Sequence, residues 1–436
     1  MLIPRHPGGR VSTLACLFAL GLALVAADAR AIPAFSRQYT LSCSTCHAAF
    51  PRLNSFGEQF RAANYRLPNW RDTTLDTGDE MLALPKSLPA AIRAQAYVQA
   101  RTAEEIDPAS GPTGNAARSD VQAPYLIKLI SSAPLSEHIS YYFYGIFAEK
   151  GGNGTTVIED AWFRFDDLFG TKVGMQLGQF QISDLMFPRE LRLTFNDFMV
   201  YRLAGITYDR GVLFDREFGA ANVALGFANG NGIEQNVALN SPGYLRPDAM
   251  FDNDTEKTAF GRAGLKLGGV SAGLFGLHGS QASASATAGA FGAQPGARKT
   301  TKRVLGLDVS GEAGGKLYWY AQGLWNRWDA FLDADPARNI RWWGAFAGVD
   351  YVRDAHWVFS VLYNAARAGD FANTGTLYEG IKINSLTLGT SYYFMRNVKG
   401  VIELNFDALP KDAPGPPFVG HQTKENYLLF GFDAAF

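Results

Sequence analysis

From Ala91 to the end of the chain, apolar and polar positions alternate. Ile92, Ala94, Ala96, Val98 and Ala100 interleave with Arg93, Gln95, Tyr97, Gln99 and Arg101. A period of two predicts an extended strand with one set of side chains on each face. Here one face suits lipid and the other a wet lumen, the pattern of a transmembrane β-strand. Similar stretches recur at 139–148, 157–166, 172–181, 205–217, 222–230, 258–268, 270–281, 301–313, 316–328, 341–354, 356–368, 378–395, 400–409 and 425–436. With two less regular stretches the total is about sixteen, an even number as in bacterial outer-membrane barrels.

The connections alternate in length. Short ones fall at 167–171, 268–269, 314–315, 354–355 and 396–399, and long ones at 104–120, 182–197, 231–257, 282–300, 329–340, 369–377 and 410–424. Short periplasmic turns and long extracellular loops give this alternation. Trp319, Trp325, Trp328, Trp342, Trp343 and Trp357 fall near strand ends, where interfacial girdles sit. The last strand places Leu428, Phe430, Phe432, Ala434 and Phe436 on one face. A soluble all-β protein with many hairpins is the plainer alternative. The long Gly/Asn-rich loops and an export signal favour the barrel.

That signal lies in the first residues. Arg5 and Arg10 precede a continuous apolar run, Leu14 to Ala27, and small residues follow up to Ala31. The run is shorter than the roughly 20 residues a membrane helix needs, so it reads as a secretory leader. Cleavage after Ala31 removes Cys16 and leaves Cys43 and Cys46, from a total of 3 cysteines. The expected division is residues 1–31 as leader, 32–90 as a small N-terminal unit with linker, and 91–436 as barrel. The formal net charge is −1 and no long basic run occurs, which argues against nucleic acid as a partner.

The N-terminal unit carries the candidate chemistry. Cys43-Ser44-Thr45-Cys46-His47 matches C-x-x-C-H, the attachment site of a c-type haem. Two thiols at that spacing can form thioethers to the two vinyl groups, and the next residue places an imidazole under the iron. A zinc site needs two more ligands, and the chain has no second Cys/His pair. A thioredoxin-like redox pair is expected beside a βαβ pattern, which is absent. Leu53, Phe56, Phe60 and Ala63 follow at helical spacing, with Asn54 and Ser55 as N-cap candidates. A unit this small buries little by itself, so another element is expected to cover the cofactor.

The order of leader, Ala31-Ile32-Pro33-Ala34-Phe35-Ser36-Arg37-Gln38, the C-x-x-C-H motif, Phe50-Pro51-x-Leu53, Phe56-Gly57 and barrel resembles the outer-membrane fused monohaem cytochrome–porins. The best-known members are the Fe(II)-oxidising outer-membrane cytochromes. The sharp residues of the resemblance lie within 32–60, and the barrel resembles porins only generically. The resemblance implies one covalent haem c on Cys43 and Cys46, with His47 as proximal ligand. It also implies electron transfer across the outer membrane between extracellular Fe(II) and a periplasmic c-type cytochrome.

The expected fold is thus mostly β: an antiparallel transmembrane barrel of about sixteen strands. A small α-helical haem unit, with its N-terminus in the periplasm, plugs the lumen. For the sixth iron position Met81, His138 and His356 are candidates. Asp252, Asp254 and Glu256, and separately Asp329, Asp333 and Asp335, are hard oxygen ligands suited to a divalent cation, although solvated loops explain them as well. A solute porin with a haem-bearing plug, and outward electron transfer to an external acceptor, remain as alternatives.

Overall fold

A computed structural model describes residues 34–67, 75–79, 81, 82, 84, 86, 89–101, 106–107, 111–112, 119–149, 157–206, 208–230, 256–282, 299–332, 335–372, 382–407 and 426–436. The leader, Cys16, the acidic residues Asp252, Asp254 and Asp333, and most of the long connections lie outside them.

Sixteen strands form one closed barrel. They are β1 Ala90–Arg101, β2 Ser119–Pro134, β3 Ile139–Glu149, β4 Val157–Phe165, β5 Gly174–Gln181 and β6 Tyr208–Phe218. Next come β7 Ala221–Ala228, β8 Thr258–Leu267, β9 Val270–Ala282, β10 Lys299–Ala313 and β11 Leu317–Asp329. The last five are β12 Ile340–Val352, β13 Trp357–Arg367, β14 Lys382–Met395, β15 Val398–Asp407 and β16 Tyr427–Ala435. Each strand pairs antiparallel with its sequence neighbours. β16 returns to β1 in the register Tyr427↔Arg101 through Ala435↔Arg93, so no strand edge is left unpaired.

The alternation places side chains as the sequence predicts. Along β13, Trp357, Phe359, Val361 and Tyr363 face outward while Val358, Ser360, Leu362 and Asn364 face the buried lumen. Seven short connections share one end, and both ends of the barrel chain lie there too. In the turn after β10, Gly314 and Gly315 both take positive φ, 61° and 63°, a combination that side chains with a Cβ resist.

The one barrel strand missing from the fifteen stretches named above is β2. Its pairing with β1 slips between Gln95 and Tyr97, and its pairing with β3 slips between Ile127 and Lys128. The first slip places its extra residues on β2, between Gln122 and Leu126, and breaks the period of two there, which hides this strand in the sequence pattern; the second places its extra residue, Phe147, on β3.

The connection 182–197 departs from expectation. Instead of an outer loop, residues 182–206 fold inside the barrel. Two short 3₁₀ turns, Ile182–Leu185 and Arg189–Leu191, lead to a helix at Met199–Ala204, which also shortens the predicted 205–217 strand. The reason is composition: Met186, Phe187, Phe198, Met199, Val200 and Tyr201 are all buried against inward-facing wall residues such as Tyr320, Leu324 and Phe346. Phe198 stacks on Phe346 with ring centres 4.3 Å apart. Gly344 permits the approach, since a Cβ there would sit 2.9 Å from the Val200 side chain. Polar anchors complete the plug. Glu403 accepts from the backbone N–H groups of Phe195 (2.6 Å) and Asn196 (2.9 Å), and the Arg189 guanidinium holds Asp197 at 2.6 Å.

Candidate functional site

Ahead of the barrel, three helices and a short hairpin make the N-terminal unit: α1 Ala34–Tyr39, α2 Cys43–Cys46, α3 Ser55–Ala62, and the strand pair His47–Ala49 with Arg52–Leu53. Cys43 and Cys46 are the first and last residues of one helical turn, which puts both thiols on one face. They are free and half-exposed. Burial, with the neighbouring Cys43, pushes the Cys46 thiol up.

His47 is held from below by the backbone. Its Nδ1–H donates to the Pro51 carbonyl at 3.1 Å. That fixes the tautomer and leaves Nε2 with its lone pair. Burial lowers the pKa of the ring, against the opposing pull of the Pro51 and Arg52 backbone, and so favours the neutral imidazole.

Asn54 locks the motif to the next helix. Its amide N–H donates to the Cys46 carbonyl at 2.9 Å, its Oδ1 caps α3 by accepting from Gly57 N–H at 2.9 Å, and its Nδ2 donates to the Ser44 and Thr45 carbonyls. Gly57 lies so close that a Cβ would sit 2.1 Å from the Cys46 oxygen. Behind the motif, Phe60 meets Phe35 edge-on at 5.2 Å and Tyr39 at 5.5 Å. The predicted helix is present as α3, but of the stripe Leu53, Phe56, Phe60 and Ala63 only Phe60 is buried: Leu53 belongs to the hairpin, and Phe56 and Ala63 are exposed.

The unit is seated in the short-turn mouth of the barrel. Phe50 offers its carbonyl to Tyr393 Oη at 2.7 Å and Lys399 Nζ at 3.1 Å, and Arg93 lies over its ring. Arg52 is ion-paired with Asp350 and sandwiched between Phe187 and Tyr320, at 5.0 and 5.1 Å from the ring centres. Asn64 meets Ser140, Arg66 pairs with Asp166, and Ser55 donates to Glu312. Tyr65 stacks toward Tyr142 and Trp162 of the wall. Sequence reasoning located the motif but not this socket. Asp350, Tyr393 and Lys399 look like ordinary inward polar positions, and only the fold brings them to Phe50 and Arg52.

Cys43, Cys46 and His47 stand together, and as a donor set they fit a c-type haem: two thiols on one face, and an imidazole whose second nitrogen is tied to a carbonyl, as metal-bound histidines require. The sixth-position candidates are scattered. Met81 is 93 % exposed, its amide bonded to Asp79. His138 bonds through Nδ1 to Asp166 at 2.9 Å, the same carboxylate that holds Arg66. His356 bonds through Nδ1 to the Tyr393 carbonyl at 2.8 Å. Both histidines lie at short turns on the rim. In the second acidic group, Asp329 is engaged by Arg303 and Arg327. Among the described residues no three His, Cys, Asp or Glu side chains converge on a metal position.

Between the barrel wall and the internal plug lies a cavity of about 40 Å³, lined by Arg93, Lys128, Arg192, Lys399, Glu190 and Asp433 among others. That is room for a few waters.

Comparison with solved structures decides the barrel type. The anion-selective porin from Comamonas acidovorans superposes with a TM-score of 0.52 at 13% identity, covering 80% of this chain and 99% of that one. This is the porin fold. The outer-membrane channel DcaP of Acinetobacter baumannii matches with a TM-score of 0.52 at 11% identity over 80% and 97% of the two chains. Salmonella typhi OmpF matches with a TM-score of 0.50 at 10% identity, again over 80% and 97%. No family model and no curated protein matches the chain.

Proposed function

We propose that this porin-type barrel is an outer-membrane electron conduit with one c-type haem at its periplasmic mouth. Cys43 and Cys46 hold the haem, and His47 is its proximal ligand. The reading rests on His47, whose Nδ1–H is given to Pro51 so that Nε2 is free for a metal, beside two thiols of the attachment spacing. The haem supplies one-electron chemistry. The protein's part is to hold it, to keep the imidazole neutral, and to block solutes with the plug 182–206. The long-loop end faces outside, Fe(II) is the donor, and a periplasmic c-type cytochrome is the acceptor.

The mouth position fits this role. The hydrocarbon layer is about 30 Å thick, and a soluble periplasmic protein cannot reach across it. A unit docked on the short-turn rim is within reach from the periplasm. The half-exposed thiol face is where such a partner meets it.

A second reading is a solute porin with a haem-bearing plug. The shared fold supports it, and the Comamonas structure's description calls that porin anion-selective.

Proteoliposomes distinguish the two. With cytochrome c enclosed and Fe(II) outside, the conduit reduces the enclosed cytochrome only when haem is attached, and leaks little solute. High anion conductance without haem-dependent reduction would select the porin.

A further inference from the structure

The outward face of the barrel carries one feature that neither reading uses. At the long-loop end of β10, β11 and β12, Arg303 stands directly opposite Arg327, and Arg327 directly opposite Arg341. His278 of β9 continues the row opposite Arg303. One step along, Arg367 of β13 faces outward opposite Trp343. Directly opposed residues have Cβ atoms about 5 Å apart, and like charges there repel. Among the described residues one carboxylate pairs with these guanidinium groups: Asp329 holds Arg303 at 2.5 Å and Arg327 at 2.8 Å, while the Asp370 carboxylate takes the Arg341 backbone N–H at 2.9 Å. The Arg303 and Arg327 side chains remain 48% and 42% exposed despite that pairing.

The surface below the row is apolar. Leu305, Trp325 and Trp343 come next across the strands. After them Gly323 lies opposite Ala345, and Ala321 opposite Ala347. These small residues leave a hollow walled by Leu307, Trp325, Trp343 and Tyr363. The Trp325 ring reaches over Gly323, whose missing Cβ would sit 3.4 Å from it. A cationic row at headgroup level above an apolar hollow matches a lipid with anionic headgroup and acyl chain.

We propose that this face binds a phosphorylated lipid of the outer leaflet, with its phosphates on Arg303, Arg327 and Arg341 and an acyl chain in the hollow over Gly323 and Ala345. Guanidinium groups bind phosphate in a bidentate fork, which is the reason for arginine rather than lysine in the row. Headgroup phosphates supply the counter-charge that Asp329 leaves short among the described residues.

The test is titration of the delipidated full-length protein with diphosphorylated lipid A and with the same lipid stripped of phosphate, read by native mass spectrometry. The wild type should bind the phosphorylated form at least tenfold more tightly. Arg303→Gln/Arg327→Gln/Arg341→Gln should abolish that preference, and Gly323→Leu should weaken both lipids together. Heat-dependent gel mobility checks that each barrel has folded. Should the triple variant not fold, Arg341→Gln, which leaves the Asp329 pairs intact, should lower the preference by itself.

Equal binding of the two lipids, or an unaltered triple variant, overturns the proposal. So does displacement by inorganic phosphate at equal concentration, or a change of oligomeric mass with lipid binding intact, which would assign the row to contact between copies. The site presumes the orientation proposed above. Surface proteolysis tests that orientation, so the two ideas can fail separately.

Discussion

Arg52 and Asp350 form an ion pair sealed in the mouth of the barrel, with side chains 5% and 0% exposed. One belongs to the N-terminal unit and the other to β12, so the pair fastens the unit to the wall. Removing one partner strands the other in a low-dielectric setting, which typically costs about 3–5 kcal/mol.

Asp350→Ala should therefore release the N-terminal unit while the barrel stays folded. Protease added to the purified protein should clip residues near 34–66 much faster than in the wild type, with heat-modifiable mobility unchanged. An unaltered clipping rate would show that the remaining contacts suffice without this pair.

Gly57→Ala tests the coupling between motif and helix. The new Cβ would fall 2.1 Å from the Cys46 carbonyl oxygen, so α3 or the motif must move. Haem stain on denaturing gels should drop several-fold at equal protein. Gly369→Ala, at an exposed position where nothing lies within 4 Å of the new Cβ and φ is not positive, serves as the matched surface control.

Covalent attachment itself is read from Cys43→Ala/Cys46→Ala. The variant should assemble as a barrel and lose haem stain, and Cys46→Ala should weaken retention by itself. Equal staining of the double variant and the wild type would remove the basis of the electron-transfer reading.

Glu403→Ala should open the lumen. Glu403 receives two backbone N–H groups from the plug and the Tyr427 hydroxyl at 2.6 Å. Without it those donors are orphaned in a buried site, at roughly 1–3 kcal/mol each. Single-channel conductance in planar bilayers should rise from near closed in the wild type to an open level in the variant. A wild type that already conducts freely would instead favour the solute porin.

Much of this was legible in the sequence, and the losses have physical causes. The barrel was readable because inward and outward residues alternate strictly along strands such as β12. It faded at β2, where a bulge between Gln122 and Leu126 resets the phase. The C-x-x-C-H motif was readable because Cys43, Cys46 and His47 lie within five residues of one another. Its socket was not, since Arg52 and Asp350 are 298 residues apart. The plug was misread for a related reason. An outer loop and an inward-folded segment connect the same two strands, and only the burial of Phe198 and Tyr201 tells them apart.

The socket also sets an order of assembly. The carbonyl of Phe50 waits for Tyr393 and Lys399, which lie 343 and 349 residues later, and β1 waits for β16 to close the ring. Contacts this remote in sequence form late. In the reading proposed above, the cysteine motif leaves the export machinery long before its cover exists, and its thiols stay open to attachment enzymes throughout that interval. Under that proposal, modification comes first and the cover last.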